Sequence, residues 1–322
     1  MKRVAVLGCT GSIGRQALDV IRMHSDSFTV AALVAGSNDE LLVKQIQEFS
    51  PSFVGIREES RASRLKDAIP SSACIEAGED AACVAATLPE VDIVINGISG
   101  FAGMRPLISA LEANKTVALA NKESIVCGHQ AVNRALEKGG RILPVDSEQS
   151  AIFQCLAAGE HSEISALILT ASGGPFFHYT KEELKKVTPA QALRHPTWNM
   201  GKNITLDSAT LFNKGLEIME ASYLFDVPGD AIKVLVHPQS VVHSMVEYRD
   251  GSTMAQMSIP DMRGAIQYAL TYPKRIPAVI DRLDLAALGK LEFFDPDTAC
   301  FPALDLAYEA LRDGNTLPIA YN

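Results

Sequence analysis

An apolar run, a glycine-punctuated turn and an amphipathic stretch open this 322-residue chain, and together they limit its fold more than any other feature. The turn is Gly8-Cys9-Thr10-Gly11-Ser12-Ile13-Gly14. Glycine lets backbone approach a phosphate closely, and the free amides at the start of a helix favour its charge. The spacing is Gly-x-x-Gly-x-x-Gly, not the Gly-x-Gly-x-x-Gly of the usual dinucleotide fingerprint. A glycine turn without a ligand has the same local pattern, but the strand–turn–helix setting favours a cofactor. The alternation continues, with strands expected at 3–8, 29–35, 53–56, 91–95, 116–120 and 141–145. Amphipathic helices are expected near 12–23, 39–49, 79–87, 103–113 and 123–138. Such spacing implies βαβ units and a parallel sheet. Right-handed crossovers close it as a Rossmann-like, doubly wound α/β fold.

The pattern changes near residue 150. A strand at 164–170, short helices at 181–187 and 189–193, a loop over 194–206 and a helix over 208–225 precede strands at 233–236, 241–248 and 253–258. This second part reads as α+β. Residues 273–297 are rich in proline and polar side chains, and a new helix begins near Pro302. The expected organisation is a dinucleotide-binding domain over 1–146, a catalytic α+β domain over 147–272, a connector over 273–298 and the start of a C-terminal helical domain over 299–322.

The net charge is −9, and the lysines and arginines are scattered, which argues against nucleic acid as a partner. A local cationic pocket for a small anionic substrate is compatible with that balance. No window approaches the ~18–20 apolar residues of a membrane span, so no membrane partner is expected. The six cysteines, at 9, 74, 83, 127, 155 and 300, form no Cys-x-x-Cys pair and read as buried apolar thiols in a reducing cytosol. The first strand follows Met1 directly, leaving no room for a leader peptide, so a cytoplasmic location is expected.

Several short segments carry chemistry. The second strand ends in Ala35-Gly36-Ser37-Asn38, without the acid that NAD enzymes place against the ribose; this leans towards NADP, with Ser37 and Asn38 as donors. Asn121-Lys122-Glu123-Ser124 stands at a carboxyl edge of the sheet, where ligands bind, although a polar helix start looks alike. In extended chain the carboxylates of Asp146 and Glu148 face one way, which suits a divalent cation; an exposed acidic turn has the same spacing. Asn213, Lys214 and Glu217 share a helix face, as would a solvated Lys–Glu pair. Gly215 inside that helix costs up to ~1 kcal/mol relative to Ala and admits a ligand or another backbone. Ser172-Gly173-Gly174 ends a strand and Asp207-Ser208 opens a helix; both offer donors to an anion, or serve as a turn and an N-cap. The only Trp lies in His195-Pro196-Thr197-Trp198-Asn199-Met200-Gly201, as a packing anchor or as part of a lid.

In order along the chain, these segments resemble the 1-deoxy-D-xylulose 5-phosphate reductoisomerases. Leu119-Ala120, Pro144-Val145, Pro175-Phe176 and His237-Pro238-Gln239-Ser240 extend the match, which covers essentially the whole chain. The resemblance implies an NADPH- and divalent-metal-dependent oxidoreductase, using Mg²⁺, Mn²⁺ or Co²⁺, that supplies non-mevalonate isoprenoid synthesis. The pentulose phosphate is rearranged to a branched aldehyde, which is reduced to 2-C-methyl-D-erythritol 4-phosphate. It implies Asp146, Glu148 and Glu217 as metal ligands, with Lys214 and His195 beside them in catalysis. Ser172, Ser208, Asn213 and Lys214 would receive the phosphate and backbone oxygens, and Ser147 the reacting end. Glu148 and Glu217 would also touch substrate. His195, Trp198 and Met200 would form a mobile flap, with Met262 near it. Thr10, Gly11, Ser12, Ile13, Gly36, Ser37, Asn38, Asn121, Lys122, Glu123 and Gly201 would line the NADPH site. A homodimer is implied. Ser37 stands where some relatives carry Lys, and the family extends beyond Asn322 into a C-terminal helical domain. Two rivals remain at this stage. One is another two-domain NADP-dependent dehydrogenase, such as a semialdehyde enzyme, with no metal on its acids. The other is a non-enzymatic dinucleotide-binding redox sensor.

Overall fold

The first 146 residues build a sheet of seven strands, all parallel. The computed structural model describes residues 1–66, 69, 73–198 and 201–322. In chain order the elements are β1 (Lys2–Leu7), α1 (Ser12–Met23), β2 (Phe28–Ala35), α2 (Asp39–Phe49), β3 (Phe53–Ile56), β4 (Cys74–Ala77), α3 (Ala81–Thr87), β5 (Ile93–Asn96), α4 (Met104–Glu112), β6 (Thr116–Leu119), α5 (Lys122–Leu136) and β7 (Arg141–Pro144). The strand order is β4-β3-β2-β1-β5-β6-β7, which reverses direction between β1 and β5. Open α/β sheets bind ligands at such a switch point, beyond the carboxyl ends of the strands. The glycine turn leaves β1 there. Val4, Val6, Leu7, Leu33 and Ile95 are fully buried, as expected for a sheet covered on both faces. β4 has no counterpart in the sequence reading. It is a four-residue edge strand with Cys74 and Glu76 exposed, so no apolar run announces it.

The chain continues with α6 (Ser147–Cys155), β8 (Ile164–Ala171), α7 (Lys181–Leu184), α8 (Pro189–Ala192), α9 (Lys202–Ala209), α10 (Phe212–Phe225), β9 (Ile232–Val236), β10 (Val242–Tyr248), β11 (Thr253–Met257), α11 (Met262–Thr271), α12 (Leu285–Leu288), α13 (Ala303–Asp313) and α14 (Leu317–Tyr321). The second sheet runs β11-β10-β8-β9, antiparallel except for β8 with β9. α6 packs on β10 and β11, and α10 on β8 and β9. Two compact units result: Met1–Asp146 with Met262–Val279, and Ser147–Asp261 with Ile280–Asn322. In the first, α11 packs on α1, β6 and β7.

Four local expectations need correction. The helix expected over 208–225 is two helices, broken where Leu211 takes a left-handed φ of 58° and the Thr210 hydroxyl donates to the Asp207 carbonyl. The loop expected over 194–206 therefore ends at Gly201, and Asp207-Ser208 closes α9 instead of opening a helix. The chain also turns helical at Ser147, so Asp146 and Glu148 are not brought together by strand alternation.

Gly14 shows how closely the first turn is built. A Cβ there would enter the backbone of Gly8 and Cys9. Gly14→Ala should destabilise the first unit by about 1–3 kcal/mol, the usual range for overpacking. It should also weaken dinucleotide binding at least ~10-fold by displacing α1; calorimetry and a fluorescence titration read the two effects.

Candidate active site

In the first unit, the amides of Gly8 and Cys9 both donate to the Val34 carbonyl, at 2.8 and 2.9 Å, and Gly11 donates to the Gly8 carbonyl. Gly8 takes a φ of 78°, and a Cβ on it would strike the Gly97 carbonyl. Gln45, buried on α2, donates its side-chain amide to the Cys9 carbonyl at 2.9 Å. α1 starts with no side-chain cap and no acid in its first turn, and Gly11 and Ser12 are exposed. Its first amides are therefore positioned for an anion such as a pyrophosphate. Thr10 and Ile13 flank the turn, half-buried. Burial pushes the Cys9 thiol up, so it stays protonated.

At the end of β2, Gly36 has open space around it and Ser37 is exposed. The Asn38 side-chain oxygen caps α2 by accepting from Leu41, which leaves its amide to donate outward. The next residue, Asp39, is an acid, but a buried one. Arg61 at 2.8 Å and Arg64 at 3.2 Å hold its carboxylate, and the Arg61 hydrogen bond keeps its pKa below the usual range. No unpaired acid stands among these residues to accept from a ribose hydroxyl. At the other edge, Asn121 caps α5 and donates to the carbonyls of Ile98 and Gly100. Glu123 accepts from the Gly100 amide, and Lys122 pairs with Asp146 at 2.5 Å.

In the second unit, the first turn of α6 meets the first turn of α10. Ser147 Oγ donates to Glu148 Oε2 at 2.6 Å. Lys214 Nζ donates to Glu148 Oε1 at 2.7 Å and to Glu217, and Asn213 Nδ2 donates to Glu217 Oε1 at 2.5 Å. Lys214 is 4% exposed and Glu217 0%, so the pair is not a solvated one. Burial alone would lower the lysine pKa, but Glu148 and Glu217 outweigh it and raise the value. Oxygens of Glu148 and Glu217 come within 4.8 Å of each other. Two carboxylates share one ammonium, so one negative charge is left uncancelled. Hard oxygen donors with excess negative charge fit a divalent ion of the Mg²⁺ or Mn²⁺ kind. Asp146 is tethered to Glu148 through one intervening residue.

Ser172 follows β8, and the next two residues, Gly173 and Gly174, take φ of 83° and 67°. The His195 Nδ1 atom accepts from the amides of Thr197 and Trp198, so the ring proton sits on Nε2, which donates to Ser172 Oγ at 2.8 Å. Burial lowers the His195 pKa and keeps the ring neutral. Ser208 Oγ donates to the Ile204 carbonyl. Trp198 is half-buried, with its ring 6.1 Å from that of His243. Met200 and Asn199 lie outside the described residues. Gly201 caps α9 in the second unit, while Met262 opens α11 in the first.

The sequence reading missed Gln149 and His243. Gln149 is fully buried and donates to the Glu217 carbonyl at 2.9 Å; only its place beside Asp146-Ser147-Glu148 hints at this. His243 lies in β10, bonded to Ser258 Oγ at 2.9 Å, and burial lowers its pKa to about 4. An unfolded histidine takes up a proton near pH 6.5, so stability should fall as pH drops from about 6.5 to about 4, by about 3 kcal/mol from this group. His195 adds in the same direction. Denaturant unfolding across that range should show the slope, and His243→Gln should remove most of it.

Three family models match most of the chain. The family model for 1-deoxy-D-xylulose 5-phosphate reductoisomerase matches residues 4–129, that for its C-terminal domain matches 142–225, and a further DXP reductoisomerase C-terminal model matches 257–322. The reductoisomerase of Desulfosudis oleivorans is 51% identical over 325 residues, covering 100% of this chain and 85% of the relative. A crystal structure of DOX-P reductoisomerase with NADPH, fosmidomycin and magnesium superposes with a TM-score of 0.94 at 39% identity, covering 100% of this chain and 82% of that one. The Zymomonas mobilis enzyme in complex with NADPH gives 0.92 at 42% identity, covering 98% and 83%.

Proposed function

The chain belongs to the 1-deoxy-D-xylulose 5-phosphate reductoisomerase family, and we infer from that membership that it converts 1-deoxy-D-xylulose 5-phosphate to 2-C-methyl-D-erythritol 4-phosphate. The observation that carries this reading in the molecule itself is the Glu148–Lys214–Glu217 constellation, half-buried at Glu148 and buried at the other two, a donor set for a hard cation beside an ammonium for an anion. Solved relatives hold NADPH and magnesium. Here the cofactor is NADPH, seated on Thr10–Ile13 and on Gly36, Ser37 and Asn38. The metal is Mg²⁺ or Mn²⁺, with Co²⁺ as a substitute, held by Asp146, Glu148 and Glu217. When bound, these groups supply Lewis acidity to the ketone and hydroxyl oxygens and the hydride for reduction.

The protein's own side chains do the rest. Lys214 and Asn213 bind and orient the substrate's oxygens, with the hydroxyls of Ser172 and Ser208 at its phosphate. Neutral His195 offers its Nε2 proton to the same phosphate side, through a bond now made to Ser172. Trp198 covers the carbon skeleton and excludes water, which protects the intermediate. Two copies associate through β11, an edge strand with Thr253, Met254 and Ala255 exposed. Of the six cysteines only Cys9 and Cys155 are buried, contrary to the expectation of buried thiols, and Cys74 is exposed, as a thiol outside a disulfide can be in the cytoplasm. Among the described residues, no helix is long and apolar enough to cross a membrane.

Incubation with the pentulose phosphate, NADPH and Mg²⁺ tests the reading, with product identified by NMR. Conversion that stops with chelator and is at least ~10-fold slower at equal NADH is expected. Chelator-insensitive turnover, or none with either cofactor, would refute it.

A further inference from the structure

Gly215 closes the first turn of α10, and a glycine inside a helix weakens it by up to ~1 kcal/mol relative to Ala. The structure shows what occupies the space beside it. Tyr321, at the end of α14, lays its ring flat on Phe212, with centroids 4.5 Å apart and planes parallel. Its hydroxyl lies 3.0 Å from the Ala303 carbonyl and 3.3 Å from the Phe212 carbonyl. The single hydroxyl proton is thus shared between the start of α13 and the start of α10. A Cβ on Gly215 would run into that hydroxyl, and it would also lie 3.1 Å from the Ala307 Cβ. The ring cannot swing away without losing both the stack and the carbonyls. Burial, with Asp207 nearby, raises the phenol pKa, so the hydroxyl keeps its proton.

Phe212 directly precedes Asn213 and Lys214 in the first turn of α10, and Leu211 before it holds a strained left-handed conformation. That turn has no side-chain cap of its own. We propose that Tyr321 is a positioning residue for the active site: it braces the first turn of α10 so that Asn213 and Lys214 meet the substrate, and Gly215 lacks a side chain to admit it. The proposal rests on the reading of Asn213 and Lys214 given above.

A double-mutant cycle in the full-length enzyme tests it. Gly215→Ala and Tyr321→Ala should each raise KM for the pentulose phosphate ~10-fold, as a small misplacement of binding groups does. The NADPH dissociation constant should stay within twofold. The double variant should be no worse than either single one, because the brace is lost once only. Tyr321→Phe, which keeps the stack and is the milder change should Tyr321→Ala fold poorly, should raise KM less than Gly215→Ala does. Multiplicative effects, about 100-fold in the double variant, would overturn the proposal. So would a KM for Tyr321→Phe and Gly215→Ala equal to that of the parent, or an equal loss of NADPH affinity. Lys214→Met, measured alongside, separates the two levels. If it leaves KM unchanged, the reading of the site fails; if it raises KM while the cycle multiplies, only the brace fails.

Discussion

Glu217→Gln is expected to lower kcat by about 10³-fold or more, the several kcal/mol that a Lewis-acid ion contributes. The NADPH dissociation constant should stay within twofold. The change is nearly isosteric and keeps an oxygen for Asn213, so packing at this fully buried position is preserved. What is lost is the charge that draws a second cation towards a pair of acids sharing one lysine. The cofactor turn is built from β1, α1 and α2 in the first unit, whereas Glu217 belongs to α10 of the second. Steady-state kinetics in excess Mg²⁺ and a fluorescence titration with NADPH measure the two quantities. Full turnover by the variant would remove Glu217 from the metal site.

Lys214→Met is the second large effect. The ammonium is buried and pairs with both Glu148 and Glu217, and its removal takes away the positive charge that the two carboxylates share. Breaking a buried pair from one side costs about 3–5 kcal/mol. The variant should therefore lose about 3 kcal/mol of stability in chelator. Mg²⁺ should restore more of its Tm than it adds to the parent enzyme, because the ion then supplies the missing positive charge. KM for the phosphorylated substrate should rise ~100-fold, since a charge-assisted contact is lost. Equal Mg²⁺-induced shifts in the two proteins would show that the acids are not the ion's seat.

The parallel sheet was readable because each strand is a continuous apolar run and each helix keeps its 3.6-residue period. β4 was not, since an edge strand carrying Cys74 and Glu76 has no such run. The break at Leu211 was also hidden: a leucine in left-handed conformation is held by its surroundings, and no glycine marks it. For the site, residue types were more informative than local geometry. Asp146 and Glu148 were paired by strand alternation, yet the chain is helical from Ser147. Lys214 and Glu217 were correctly placed on one helix face, but their burial depends on α6 packing against α10, which no local pattern encodes. Lys122 pairs with Asp146, and Asp39 with Arg61 and Arg64, through contacts between residues more than twenty positions apart. The inward-facing His243 looks like any other polar residue of a strand until its surroundings are known.

We propose that Asp146, Glu148 and Glu217 hold one divalent ion. Titration with Mn²⁺, followed by electron paramagnetic resonance of the free ion, tests it most directly and needs neither substrate nor turnover. One Mn²⁺ per chain should bind, and Asp146→Asn, Glu148→Gln and Glu217→Gln should each weaken it at least ~10-fold, as loss of a charged oxygen ligand does. Unchanged stoichiometry and affinity in all three variants would contradict the account.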